Sequence, residues 1–210
     1  MHFLITAGGT REYTDPVRFI SNASSGKMGY ALVTAAIKAG HKVTLISASD
    51  LQPPVGVDFV GVDSATEMFA AVKKFFSKCD CLIMAAAVSD YTPVKKSKVK
   101  IKRTDKNLII KLKPTADILK WAGKHKRKNQ IVVGFALEDK NLRRNAEKKL
   151  KEKNLDMIIA NSPAEIGSDS AAIQIKIPKQ KWLKLPRAAK TTIAKKIIEM
   201  LIRLRRRYGG

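Results

Sequence analysis

The stretch from Phe3 to Gly29 constrains this chain more than any other. Phe3-Leu4-Ile5-Thr6 is a short apolar run that reads as a first strand. Gly8-Gly9 follow, then a polar turn at Asp15-Pro16-Val17-Arg18, then Asn22-Ala23-Ser24-Ser25-Gly26-Lys27-Met28-Gly29, where an apolar helical pattern begins. A strand feeding a Gly/Ser loop and a helix N-terminus brings free N–H groups and the positive helix end together, the α/β way of building an anion site. About fifteen residues separate strand from helix, against the ~2–6 usual in α/β units. A loop of that length beside an anion site points to function.

The remaining pattern extends the same architecture. Residues 28–39 place Met28, Leu32, Val33, Ala36 and Ile37 at helical spacing, and Gly40 is a stop signal. Strands are expected at 42–47 and 58–62, and Ser64 with Glu67 forms a capping box for a helix over 65–77. Cys81-Leu82-Ile83-Met84-Ala85-Ala86-Ala87 is a continuous apolar run, as in a strand buried on both faces of a parallel sheet. Residues 98–103 and 108–113 alternate around a turn at 104–107, which predicts a basic β-hairpin inserted over about 92–113. Helices are predicted over 114–124 and 141–153, with strands at 130–135 and 156–160 between and after them. A final hairpin pairs 172–177 with 182–185, and Pro186 is expected to open the last helix. The fold class is α/β: a Rossmann-like, three-layer open sheet, mostly parallel, with an inserted hairpin flap and a C-terminal hairpin, as one domain over 1–210.

Composition narrows the class further. Apolar residues make up 45% of 210, enough for a buried core. No apolar run reaches a membrane span, and no leader pattern precedes the first strand, so a cytoplasmic protein is expected. Cys79 and Cys81 are the only cysteines; Cys-x-Cys is poor bridging geometry and two thiols make no metal site. The net charge of +23 favours polyanionic partners: nucleic acid, nucleotides or phosphorylated metabolites. A lysine-rich proteome gives the same charge with no partner implied.

Several motifs fail on inspection. Ser-Ser-Gly-Lys at 24–27 hints at a P-loop, but Ser21 stands at the first glycine position and Met28 where Ser or Thr would hold magnesium. Gly8-Gly9 is not the dinucleotide fingerprint. Tyr91 and Lys95 mimic a dehydrogenase pair, but Pro93 forbids the helix that pair needs. His2, His41 and His125 are scattered and compose no triad.

Read together, seven blocks say more: residues 5–12, 15–22, 24–29, 85–91, 100–103, 133–138 and 153–156. In this order and spacing the chain resembles phosphopantothenoylcysteine synthetase, the ligase half of the bacterial bifunctional coenzyme A biosynthesis protein. The flavin-dependent decarboxylase half has no counterpart here, so the sequence reads as a stand-alone synthetase or an excised domain. The resemblance implies a CTP-dependent ligase that joins 4′-phosphopantothenate to L-cysteine through an acyl-cytidylate, with Mg2+ accompanying the triphosphate and no protein ligand for it identified. It assigns Asn22 to the acyl-cytidylate, where an amide can donate to the acyl oxygen. It also implies that Lys100, on a mobile flap, neutralises the nucleotide phosphates; the family's last motif lysine is Arg103 here. Met84, Ala85, Ala86, Asp90, Phe135, Lys149 and Lys153 fall on nucleotide-site positions. So do Ala116, Asp117, Ile118 and Leu119, with Ala116 replacing the family's proline.

Ser24, Ser25, Gly26 and Lys27, at the first helix N-terminus, are expected to cradle the phosphate of phosphopantothenate. The family is typically dimeric, and strands at 172–185 are the expected interface. The rival readings are a basic nucleic-acid-binding protein and an NAD(P)-dependent Rossmann oxidoreductase. The first lacks a stacking aromatic run, a recognition helix and zinc spacing.

Overall fold

The structure is a computed structural model and describes residues 1–165 and 167–208. β1 (His2–Ala7) is followed by a hairpin of β2 (Arg11–Asp15) and β3 (Arg18–Ser21), then α1 (Lys27–Lys38), β4 (Lys42–Ser47), β5 (Asp58–Gly61), α2 (Ala65–Phe76) and β6 (Cys81–Met84). β7 (Tyr91–Pro93) and β8 (Leu112–Pro114) bracket an irregular segment. Then come α3 (Ile118–His125), β9 (Ile131–Leu137), α4 (Leu142–Glu152), β10 (Met157–Asn161), β11 (Ser170–Lys176), β12 (Leu183–Ala189) and α5 (Lys190–Tyr208).

Eight strands form one sheet in the order β12-β11-β10-β9-β6-β1-β4-β5. The six from β10 to β5 run parallel, while β11 and β12 are antiparallel. Numbered among themselves, the parallel strands lie 3-2-1-4-5-6, the doubly wound order whose switch point falls between β1 and β6. The strand period of two explains the layers. Phe3 and Ile5 face one side, packed with α1 and α5; Leu4 faces the other, packed with α2, α3 and α4. Both β1 neighbours are buried strands, which is why Cys81–Met84 is apolar throughout. Cys79 and Cys81 are free and buried, and burial pushes the Cys79 thiol up to about 11.

Four expectations need correction. The long first loop contains the β2–β3 hairpin, with Asp15-Pro16-Val17-Arg18 as its turn. The insertion is not a ladder of 98–103 on 108–113: only its base pairs, Tyr91 with Pro114 and Pro93 with Leu112, and residues 94–111 carry no strand. Burying a Val or Ile side chain gains about 1.5–3 kcal/mol, but Val99 is 71% and Ile109 83% exposed, and an unsupported two-stranded hairpin is marginal in water. The next helix starts at Ile118, not Pro114. Thr115 is tied back by its N–H to the Asp90 carbonyl (2.9 Å) and by Oγ1 to the Ser89 carbonyl (2.6 Å), so the chain stays extended until Asp117 caps α3. Pro186 lies within β12, and α5 begins at Lys190. β12 is an edge strand with a register shift opposite Ala171–Ile173, where a missing N–H is tolerated.

Candidate functional site

The carboxyl ends of β1, β6, β9 and β10 open into a cavity of about 600 Å3 at the switch point. Its β1 side is close-packed backbone. Gly8 has φ +83°, and a Cβ there would lie 2.5 Å from the Ser49 nitrogen; one on Gly9 would lie 2.6 Å from the Asn22 carbonyl oxygen. These glycines permit contact between chain segments, and neither lines the cavity. The loop after β6 is stitched to them by Ala87 N–H to the Gly8 carbonyl (2.8 Å) and Thr10 N–H to the Ala87 carbonyl (3.2 Å).

Asn22 follows β3 and lines the cavity; its Nδ2 donates to the carbonyls of Ala87 and Val88, both at 3.3 Å. Ser24, Ser25, Gly26 and Lys27 line it beside the N-terminus of α1, where no side chain caps the helix. Gly29 lets the helix sit this close to β1: a Cβ there would meet the Ala7 Cβ at 2.6 Å. Lys27 Nζ pairs with Asp169 (2.7 Å), whose carboxyl it holds below the usual range, and also donates to the Gly167 carbonyl (3.3 Å).

The opposite wall carries the expected nucleotide residues. Met84, Ala85, Ala86, Asp90, Ala116, Asp117, Ile118, Leu119, Phe135, Lys149 and Lys153 all line the same cavity. The Ala86 N–H donates to Thr6 Oγ1 (3.2 Å), which fixes the β6 end against β1. Lys149 Nζ donates to the Phe135 carbonyl at 2.7 Å; burial, then the neighbouring Lys153 charge, lowers its pKa. Lys153 pairs with Asp117 at 2.9 Å. Burial opposes ionisation of Asp117, but Lys153 and the Lys120 N–H outweigh it and hold the carboxyl low.

Lys100 is the expected site residue that the fold does not bring to the cavity wall. It is exposed in the 94–111 segment, next to Ile101, which is bound to the β2–β3 hairpin. Conversely, the cavity contains Glu138, Asn161, Glu165 and Lys190, which the sequence did not single out. Lys190 had no visible signal because a helix opened at Pro186 puts it inside the helix rather than at its start. Burial, then Lys27, lowers its pKa. Among the described residues no three His, Cys, Asp or Glu side chains cluster as a metal cage, and no helix is long and apolar enough to cross a membrane.

Known proteins resemble this chain in sequence and fold. Residues 1–204 match the family described as the DNA/pantothenate metabolism flavoprotein C-terminal domain. The chain is 43% identical over 201 residues to the coenzyme A biosynthesis bifunctional protein CoaBC of Borreliella burgdorferi, and 41% identical over 214 residues to that of Bacillus subtilis. These matches cover 94% and 99% of the chain but 51% and 52% of the relatives, so it spans about half their length. A crystal structure of a CoaBC C-terminal domain superposes with a TM-score of 0.82 at 38% identity, covering 95% of this chain and 93% of that one. The chain belongs to the family of the DNA/pantothenate metabolism flavoprotein C-terminal domain, the phosphopantothenoylcysteine synthetase domain of the bifunctional coenzyme A biosynthesis proteins.

Proposed function

We propose that this cavity joins 4′-phosphopantothenate to L-cysteine using CTP. One observation carries the reading: a single cavity receives cations from both faces of the sheet, Lys149 and Lys153 beside α3 and α4, and Lys27 and Lys190 beside α1 and α5. Two anionic reactants repel each other, and cations from separate elements offset that repulsion while fixing their geometry. The substrate carboxylate attacks the α-phosphate of CTP, and the bond to the β-phosphate oxygen breaks to release pyrophosphate. The neutral cysteine amine then attacks the acyl carbon, loses a proton, and displaces CMP.

We assign Asn22 to the second step. Its amide hydrogens rest on Ala87 and Val88, and turning one to the acyl oxygen stabilises the charge that develops there. Lys100 supplies a further cation from outside the wall. A magnesium ion accompanying CTP would offset the triphosphate charge, and Asp90 and Glu138, which both line the cavity, would offer it carboxylate oxygens beside those of phosphate and water. We also infer a homodimer. Val17, Phe19 and Ile20 are all exposed within four residues of one another at the β2–β3 hairpin, while Leu183 is exposed on the β12 edge, where the interface was expected.

A nucleotide-substitution assay tests the reading. Pyrophosphate release that depends on CTP, phosphopantothenate and cysteine is expected, with Asn22→Asp forming acyl-cytidylate without completing the amide and Lys100→Gln impaired in the first step. Unimpaired product formation by Asn22→Asp overturns its role. Steeply salt-dependent DNA binding with no pyrophosphate release overturns the ligase in favour of nucleic-acid binding, and an NADPH fluorescence response favours the oxidoreductase.

A further inference from the structure

One strand serves two parts of the proposed centre. β3 ends at Ser21 and delivers Asn22; it begins at Arg18, which holds the segment carrying Lys100. The key group is Asp15, whose side chain is 0% exposed. Its Oδ1 accepts the N–H groups of Val17 and Arg18, both at 2.9 Å, and so closes the β2–β3 turn. Its Oδ2 accepts Arg18 Nη1 (2.5 Å) and, 86 residues on, the Ile101 N–H (3.1 Å). Arg18 Nη1 also donates to the Ile101 carbonyl at 3.0 Å. Both backbone groups of Ile101 are therefore held by this pair. The Ser97 N–H donates to the Thr14 carbonyl (2.9 Å), and Lys96 Nζ lies 4.8 Å above the Tyr13 ring. Burial works against the ionised form of Asp15, yet the Val17 and Ile101 N–H groups and Arg18 together keep its carboxyl below the usual range.

A turn needs only one oxygen. The second oxygen of this enclosed carboxylate does something the turn does not require. It ties down a segment with no strand pairing of its own between 94 and 111. We infer that Asp15, with Arg18, is a positioning latch: it fixes Ile101 to the hairpin and makes it the point about which Lys100 turns toward the nucleotide phosphates, at a set distance from Asn22. This rests on the role proposed above for Lys100. The four-residue step from Arg18 to Asn22 spans about 13 Å at about 3.3 Å per residue. A cation on an untethered loop would lose that fixed distance, and with it the orientation that a near-attack geometry requires.

The two oxygens make the latch separable from the turn. Asp15→Asn retains Oδ1 for Val17 and Arg18 but puts an amide NH2 where Ile101 and Arg18 need an acceptor. In the full chain, trypsin cleavage within 95–113 is expected to accelerate about tenfold, the factor that follows from losing about 1.4 kcal/mol of charge-assisted hydrogen bonding. The thermal midpoint should fall by only a few degrees. The kcat for CTP-dependent pyrophosphate release should fall about tenfold with the KM for phosphopantothenate unchanged, and Asp15→Asn should add no further loss to Lys100→Gln. Ile101→Pro removes the same N–H from the flap side, leaves the carboxylate intact, and should reproduce both effects. That variant decides the matter if Asp15→Asn does not fold. Unchanged flap cleavage in both variants overturns the latch. Faster cleavage with unchanged kcat, or an additive loss on Lys100→Gln, overturns its positioning role. If the parent protein shows no CTP- and cysteine-dependent pyrophosphate release, the ligase reading fails, while the cleavage rates still decide the latch.

Discussion

Asp117 uses one carboxylate oxygen to cap α3 and the other to hold Lys153. Oδ1 accepts the Lys120 N–H at 2.9 Å, and Oδ2 pairs with Lys153 Nζ at 2.9 Å. A single side chain thus sets both where a helix begins and where a cavity cation stands. Asp117→Asn keeps a capping oxygen and loses a partly exposed ion pair, so its stability should fall by less than about 1 kcal/mol. Asp117→Ala loses both and should fall by about 1–2 kcal/mol in urea unfolding. The Asp117 pKa is lowered from 3.8 in the fold. Its contribution is therefore present above about pH 4 and disappears as pH falls through the folded value. The gap between wild type and Asp117→Asn should close in acid; a gap that persists there is inconsistent with the pair.

Lys149 should give the enzyme an alkaline limit. Burial and Lys153 lower its pKa from 10.5, so it loses its proton before an ordinary lysine does. Below the folded pKa the fold carries the cost of a buried cation, and that cost fades as pH rises toward 10.5. Stability against urea should therefore rise across that window, while the KM for CTP rises as the cation is lost. Lys149→Arg keeps its charge throughout and should flatten the alkaline limb of a KM-against-pH profile. If the profile is unchanged in this variant, Lys149 does not meet the phosphates.

Gly123 controls how closely α3 approaches the end of α4. A Cβ there would lie 1.8 Å from the Lys153 carbonyl oxygen, and Asn154 Nδ2 already donates to the Gly123 carbonyl at 2.8 Å. Backbone must therefore move in Gly123→Ala, and Lys153 moves with it. Overpacking of this kind costs about 1–3 kcal/mol. The substitution should also weaken CTP binding without touching the nucleotide, measured by isothermal titration beside a thermal melt. Wild-type affinity in a destabilised protein would show that Lys153 needs no fixed backbone.

The sequence made the sheet legible because β1, β6, β9 and β10 are buried on both faces, and such burial leaves unbroken apolar runs. The Ser64–Glu67 cap was readable for a similarly local reason, with Ser64 Oγ accepting the Glu67 N–H at 3.2 Å. Elements decided by distant partners were less visible. Alternation at 98–103 looked like a strand, but its Ile101 bonds to Asp15 and Arg18 rather than to a neighbouring strand. Pro186 looked like a helix start because nothing local marks it as lying on a sheet edge. Met84, Ala85, Ala86, Asp90, residues 116–119, Phe135, Lys149 and Lys153 were reached through the family resemblance, and the fold does gather them around one cavity. Lys190 was missed together with the helix boundary that places it there.

Lys190 provides a test of which side of the cavity takes the phosphate in the proposed reaction. Burial first, and the Lys27 charge second, lower its pKa from 10.5, although Asp169 and Glu165 pull the other way. Bringing a phosphate beside Lys27 and Lys190 replaces repulsion with attraction and raises that pKa, so binding should draw protons from solution at alkaline pH. Titration calorimetry in two buffers of different ionisation enthalpy reads that uptake directly. Lys190→Met should abolish the uptake, raise the KM for phosphopantothenate about tenfold or more, and leave the KM for CTP unchanged. It should also leave stability equal or slightly higher, because a partly buried cation is replaced by an apolar chain of similar length. An unchanged phosphopantothenate KM, or a CTP KM that rises in its place, would assign this end of the cavity to the nucleotide and move the acyl substrate elsewhere.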